Sequence, residues 1–173
     1  MPTQAAAAPP PVPAPAAPAG ADEARQVLLG TLAGHLFAAA QRKPPRTLRL
    51  GAVFADPADP DRPLTADLVI AGGPAVPGNT VIAEPLTIVE VLGPTTEESG
   101  RKIKLPAFRA LPGCREILLV LENRLYCEVH RRLARGRWIT DLLLDRDARL
   151  RLEVAGLDLP LSVLYAQSGL LRG

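Results

Sequence analysis

The sequence contains few of the patterns that support the commoner kinds of catalytic site. It has no glycine-rich phosphate loop, no serine, histidine and aspartate arrangement for nucleophilic catalysis, and no zinc-binding pattern. Its only cysteines, Cys114 and Cys127, lie at no metal-ligand spacing and are too few for a disulfide framework. We therefore expect reduced thiols in the core and a cytoplasmic protein.

Long apolar segments are also missing, so we expect no membrane span. Residues 1–21 are uncharged, consist mainly of Ala and Pro, and lack the basic start of a signal peptide. This composition predicts a disordered, polyproline-rich tail, with a ligand for a proline-recognising module as the alternative. Residues 22–173 are predicted to form a single domain. The net charge of +2 permits a nucleic-acid partner without requiring one.

Hydrophobic periodicity after the tail predicts a mixed sheet with helices packed on it. Residues 21–43 read as an amphipathic helix, in which the helically spaced positions are Val27, Leu28, Thr31, Leu32, His35 and Leu36. Strands are predicted at residues 47–54, 66–72, 85–93, 115–123, 124–132, 137–145 and 148–154. The third of these is nearly continuous in its hydrophobicity, which favours a central strand covered on both faces.

Two further helices are predicted. Thr95 and Glu98 have the spacing of a capping box, so a helix should start near Thr96. Pro106 removes a backbone hydrogen bond from this helix, which predicts a kink near Leu105. Residues 159–169 are expected to form a short closing helix.

Three residues have the wrong polarity for their predicted positions. Asp67 and Glu90 lie within hydrophobic strands, and Lys104 lies on the side of a helix that should face the sheet. Two carboxylates on adjacent strands can hold Mg²⁺, and a nearby lysine can stabilise the charge that develops on a scissile phosphate or orient the attacking water. The pattern is therefore typical of metal-assisted phosphodiester hydrolysis. The alternative is structural: a strand-edge aspartate, a glutamate paired with an arginine, and a lysine that extends to water.

Several segments between Leu64 and Tyr165 also occur in a recognisable order. TADLVI contains Asp67, EVLGPTT begins at Glu90, and Lys104 follows fourteen residues after Glu90, with Phe108 four residues later. ALPGCREILLV, RRLARGRWITDLL and LDLPLSVLY come after them. In this order and spacing the chain resembles the restriction endonuclease domain family of the PD-(D/E)XK nuclease superfamily, which is bacterial and largely uncharacterised.

The resemblance implies a fold and a function. The fold is α/β, with a restriction-endonuclease-like core in which helices flank a mixed central β-sheet, and with a C-terminal β-hairpin or meander. The function is that of a magnesium-dependent endonuclease, a hydrolase of DNA phosphodiester bonds that often acts as a homodimer; Mn²⁺ is a possible substitute for Mg²⁺. Asp67, Glu90 and the backbone carbonyl of Val91 would be metal ligands, and Lys104 the catalytic lysine.

Four basic residues are candidates for nucleic-acid contact, with solvated surface residues as the alternative: Arg101, Lys102, Arg131 and Arg132. The chain departs from the family pattern at Ala66, which replaces a proline, at Gly93, which replaces a serine, and at Gly100, which replaces an aspartate. These departures leave two alternatives open. One is a catalytically degenerate member that acts as a DNA-binding or protein-interaction module, and the other is a structural domain with no nucleic-acid role.

Overall fold

Two β-sheets and a small number of helices make up the part of the chain that the structure describes. This structure is a computed structural model, and it describes residues 21–42, 46–56, 59, 61–74, 82 and 84–171. The predicted tail at residues 1–21 lies outside them except for its last residue. The strands are β1 (Arg46–Phe54), β2 (Leu64–Gly72), β3 (Pro85–Leu92), β4 (Glu116–Leu121), β5 (Cys127–Arg132), β6 (Trp138–Leu143), β7 (Arg149–Leu152) and β8 (Leu157–Pro160). The helical elements are α1 (Ala21–Gln41), α2 (Glu97–Ser99), the π-helix π1 (Gly100–Lys104), α3 (Leu105–Ala110), a 3-10 turn (Ala134–Gly136) and α4 (Leu161–Leu164).

The larger sheet is mixed, as predicted. It contains six strands in the order β1-β2-β3-β4-β5-β6, and β7 pairs with β8 in a separate hairpin. Only the β3–β4 pair of the larger sheet is parallel, and α2, π1 and α3 form the connection between these two strands. A parallel pair requires such a crossover connection. The predicted fold class, a mixed α/β domain with a C-terminal hairpin, is therefore confirmed.

Hydrophobic layers cover both faces of the sheet at β3. Val89 and Val91 belong to a core cluster that includes Leu28, Leu32 and Leu36 of α1 and the apolar residues of the C-terminal hairpin. Ile88 and Leu92 belong to a second cluster, which includes Phe108 of α3. Alternate residues of a strand point to opposite faces, so both faces of β3 are covered, and the prediction of a central strand was right.

The first helix has a narrower buried stripe than its sequence suggests. Leu28, Leu32 and Leu36 are fully buried, whereas Thr31 is half-buried and His35 is exposed. The four-residue spacing of the leucines follows one face of the helix, and the other two positions turn away from the sheet.

The connection between β3 and β4 differs from the predicted helix in two ways. The capping-box prediction was wrong, because Thr96 rather than Thr95 precedes the helix and its hydroxyl makes no cap hydrogen bond. The irregularity expected near Leu105 takes the form of π1, in which the Leu105 N–H donates to the Gly100 carbonyl. Pro106 lies two residues after the end of π1, in a helical stretch that continues from π1 into α3.

The end of the chain is more extended than predicted. Leu159 and Pro160 belong to β8, and the closing helix is limited to Leu161–Leu164. Tyr165 follows that helix and is fully buried, and its hydroxyl donates to the Leu121 carbonyl at 2.9 Å. None of the described helices is long and apolar enough to cross a membrane.

Candidate active site

Pairing between β2 and β3 brings the two predicted carboxylates together. The antiparallel register runs from Ile70 opposite Thr87 to Leu68 opposite Val89, and one further step along the two strands places Asp67 beside Glu90. Next to this pair, the Asp67 side chain makes a hydrogen bond to β3, because its Oδ2 accepts the Val91 N–H at 2.8 Å. This hydrogen bond fixes the Asp67 carboxylate next to the carboxyl end of β3.

The π-helix brings Lys104 to the same place. Its Nζ donates to Glu90 Oε1 at 2.9 Å. Gly100 is buried where π1 crosses β3, and a β-carbon at this position would lie 2.6 Å from Leu92 Cδ2. The absence of a side chain at Gly100 therefore allows the close approach of π1 to β3 on which the Lys104 contact depends.

These side chains line one cleft. Its volume is about 260 Å³, and its walls include Asp67, Glu90, Val91, Lys104 and Arg25. The Glu90 side chain is only 3% exposed, whereas that of Lys104 is 31% exposed. The ammonium group can therefore face both the buried carboxyl and a molecule in the cleft.

The ionisation of Glu90 reflects competition between burial and its cationic neighbours. Burial and the negative charge of Asp67 raise its pKa to about 7, although Lys104 and Arg25 oppose this rise. A carboxyl group with this pKa changes its charge near neutral pH. It can exchange a proton or bind a cation under mild conditions.

Arg25 is the principal residue of the cleft that sequence reasoning missed. Its Nη2 donates to Asp67 Oδ1 at 2.5 Å, and its Nη1 donates to the Val91 carbonyl. Arg25 is the fifth residue of α1, three residues before Leu28 and seven before Leu32. A charged residue on the face that packs against the sheet was the available signal.

The oxygen atoms of the cleft suit a hard divalent cation. The carboxylates of Asp67 and Glu90 and the carbonyl of Val91 are ligands that Mg²⁺ accepts, with water completing the coordination. Among the described residues there is no group of three or more His, Cys, Asp and Glu side chains that could hold a metal ion. These oxygen atoms suit Mg²⁺ in their chemistry, but Arg25 donates hydrogen bonds to two of the three residues that provide them.

Glu122 was not singled out by the sequence and lies close to the cleft. It follows β4, its N–H donates to the Leu92 carbonyl at 3.1 Å, and its side chain is buried beside Gly93. Burial raises its pKa, while the charge of Arg25 lowers it. A β-carbon at Gly93 would overlap Glu122 Oε1, so the glycine in this position is explained by the neighbouring carboxylate.

The basic residues of π1 that were predicted to contact nucleic acid both have partners in the protein. Arg101 pairs with Glu97 and Glu128, and its guanidinium lies 5.3 Å from the centre of the Tyr126 ring. Lys102 is exposed and pairs with Glu98 at 2.5 Å. Of these two side chains, Lys102 is the more accessible to a ligand.

The two basic residues at the end of β5 are also engaged. Arg131 pairs with Asp141 and donates to the Arg151 carbonyl at 2.8 Å. Arg132 donates to the carbonyl of Arg109 in α3 and to those of Leu111 and Pro112 just after it. Its guanidinium also stacks on the Trp138 ring. These contacts assign Arg132 a structural role in holding α3 against the sheet.

Comparison with known proteins supports the fold rather than a particular activity. No family model matches the chain, and no curated protein matches it. A solved structure from Anabaena variabilis, described as a candidate nuclease belonging to DUF820, is similar to it with a TM-score of 0.68 and 13% sequence identity. The match covers 84% of this chain and 82% of the other chain. The chain therefore shares its fold with this DUF820 protein.

Proposed function

We propose that the protein is a metal-dependent endonuclease that hydrolyses DNA phosphodiester bonds. The observation that carries the proposal is the convergence of Asp67, Glu90 and Lys104 on one cleft. The shared fold with a candidate nuclease supports the same reaction class. Mg²⁺ is the expected cofactor, and Mn²⁺ is an alternative with similar ligand chemistry.

The proposal gives distinct roles to the acidic residues, the Val91 carbonyl and Lys104. Asp67, Glu90 and the Val91 carbonyl hold the cation. When bound, Mg²⁺ lowers the pKa of a coordinated water molecule and polarises the phosphate. The Lys104 ammonium hydrogen-bonds to Glu90 and remains partly exposed, so it can also orient water or donate to a phosphate oxygen as negative charge develops there.

A second candidate function is a non-cleaving module that binds DNA or another protein. The observation that favours it is the position of Arg25, whose guanidinium satisfies Asp67 Oδ1 and the Val91 carbonyl without any metal. In this case the cleft would be a charge-neutral structural cluster of two carboxylates and two cations.

Cleavage assays distinguish the two candidates. Supercoiled plasmid and short duplexes are incubated with Mg²⁺, Mn²⁺ or EDTA, and the parent protein is compared with Glu90→Gln and Lys104→Ala. Glu98→Gln is the matched control, because Glu98 is an exposed carboxylate that pairs with Lys102 outside the cleft. Metal-dependent cleavage that disappears in the first two variants and persists in the control supports the nuclease. DNA binding without cleavage favours the second candidate, and cleavage that survives both cleft substitutions contradicts the proposed site.

A further inference from the structure

Arg25 lies on the atoms that the proposed function assigns to the metal. Asp67 has one carboxylate oxygen bonded to the Val91 N–H and the other bonded to Arg25, so both of its oxygens are engaged. The second donor of the same guanidinium is directed at the Val91 carbonyl. The planar fork of an arginine suits two oxygen acceptors of this kind.

When both of its carboxylates are ionised, the charged side chains of the cleft neutralise one another before any metal binds. Asp67 and Glu90 supply two negative charges when both are ionised, and Arg25 and Lys104 supply two positive charges. An arginine keeps its proton under all ordinary conditions, so it cannot make room for a cation by losing its charge. A divalent ion at these ligands would lie beside a fixed positive charge, unless the guanidinium moved away.

The surroundings of Arg25 allow such a movement. Its side chain is 31% exposed, and it lies near the start of α1, ahead of the buried leucines that hold the helix on the sheet. The side chain can therefore leave Asp67 while Leu28, Leu32 and Leu36 keep α1 in place.

We propose that Arg25 is a built-in occupant of the cation site and that a divalent ion binds only after its guanidinium has left Asp67 and Val91. This inference rests on the metal site of the proposed function. Because the ion must compete with Arg25, its apparent affinity is the intrinsic affinity multiplied by the fraction of molecules in which the guanidinium has left these oxygens. Arg25 thereby sets the divalent-ion concentration at which the cleft is occupied.

Mn²⁺ binding, measured by calorimetry and by the electron paramagnetic resonance signal of the free ion, tests the proposal without relying on activity. Arg25→Gln is compared with the parent protein and with Arg42→Gln, the matched control. Arg42 is an exposed arginine beyond the other end of α1, where it donates to the Ala38 carbonyl. We expect Arg25→Gln to bind Mn²⁺ about ten-fold more tightly or better, since a hydrogen bond to a charged group contributes at least that factor. Arg42→Gln should bind like the parent.

Two further variants keep the outcome unambiguous. Arg25→Lys keeps the charge without the planar fork, so its Mn²⁺ affinity should fall between those of the parent and Arg25→Gln, and it remains informative if Arg25→Gln fails to fold. Adding Asp67→Asn to Arg25→Gln should abolish the gain. Equal affinities for the parent and both single Arg25 variants, with weaker binding only in the Arg25→Gln/Asp67→Asn double variant, would overturn the role of Arg25 and leave the metal site intact. Failure of every variant to bind Mn²⁺ at millimolar concentration would overturn the metal site, and the role of Arg25 with it.

Discussion

Replacing Glu90 with glutamine tests whether burial or the ion pair with Lys104 controls the charge of this carboxyl group. Burial, together with the charge of Asp67, raises its pKa from an ordinary value of 4.5 to about 7. A group with a raised pKa holds its proton more tightly in the folded state. It therefore stabilises the fold fully below pH 4.5, and this contribution is lost as the pH rises through 7. The size of the effect is on the order of 3 kcal/mol in the free energy of unfolding.

His130 must be separated from Glu90 in this measurement, because it titrates in the opposite sense. Burial and the charges of Arg109 and Arg101 lower its pKa from 6.5 to about 4. The unfolded state then binds the proton more tightly, so stability falls as the pH decreases from 6.5 towards 4. The two effects oppose each other over a shared pH range in the parent protein. The difference between parent and variant isolates Glu90.

Urea unfolding in EDTA, followed between about pH 4.5 and about pH 8, provides this difference. The amide of Glu90→Gln resembles the protonated carboxyl group. We therefore expect the free energy of unfolding of the variant, relative to that of the parent, to increase by about 3 kcal/mol from the lower pH to the higher. Glu98→Gln removes an exposed carboxylate and should show no such trend. A difference that stays constant or decreases with pH would show that the Lys104 ion pair outweighs burial, and it would refute the reasoning.

Three further single substitutions, one of them combined with a second in a double-mutant cycle, test packing elsewhere in the fold. Gly93→Ala places a β-carbon against Glu122 Oε1, so we expect a loss of about 1–3 kcal/mol in the free energy of unfolding. A second substitution, Glu122→Ala, should recover part of it in a double-mutant cycle, and additive losses would contradict the contact. Gly34→Ala should stabilise the protein by up to about 1 kcal/mol in the same assay, since a β-carbon there meets no atom within 4 Å and alanine favours the helix; a lower stability would argue against an exposed helical position. Arg132→Ala removes several hydrogen bonds to carbonyls that follow α3 and should cost about 2 kcal/mol in thermal or urea unfolding. Weaker DNA binding with unchanged stability would instead assign Arg132 to a nucleic-acid surface.

The strands from β1 to β7 and the unusual polarity of Asp67, Glu90 and Lys104 could be predicted because they depend on local patterns, whereas β8 was missed. The nearly continuous hydrophobicity of β3 indicates that both faces of the strand are packed, so a carboxylate at Glu90 was recognisable as an anomaly. Lys104 followed from helical spacing relative to Phe108 and from the family pattern. These predictions needed no knowledge of how distant segments pack.

The partners of Arg25 and the π-helical turn could not be predicted, because both depend on contacts between distant segments. The position of Arg25 on the packed face of α1 was a signal, but Asp67 and Val91 lie 42 and 66 residues further along the chain and could not be identified as its partners from the sequence. Hydrophobic periodicity also does not distinguish an α-helix from a short π-helix. The extra residue in the turn is accommodated where Gly100 meets Leu92, and that contact exists only in the folded chain.

The two glycines that depart from the family pattern have packing reasons, and one of them bears directly on the site. A β-carbon at Gly100 would lie 2.6 Å from Leu92 Cδ2, so either the Leu92 side chain or π1 would have to shift. Because Lys104 ends the same π-helix, a shift of π1 would also move its Nζ away from the buried Glu90 carboxyl. An unpartnered carboxylate in this position would be costly, so the ion pair and the glycine are mutually dependent. In this chain Gly100 packs directly against Leu92, so a glycine at this position does not by itself indicate a degenerate site.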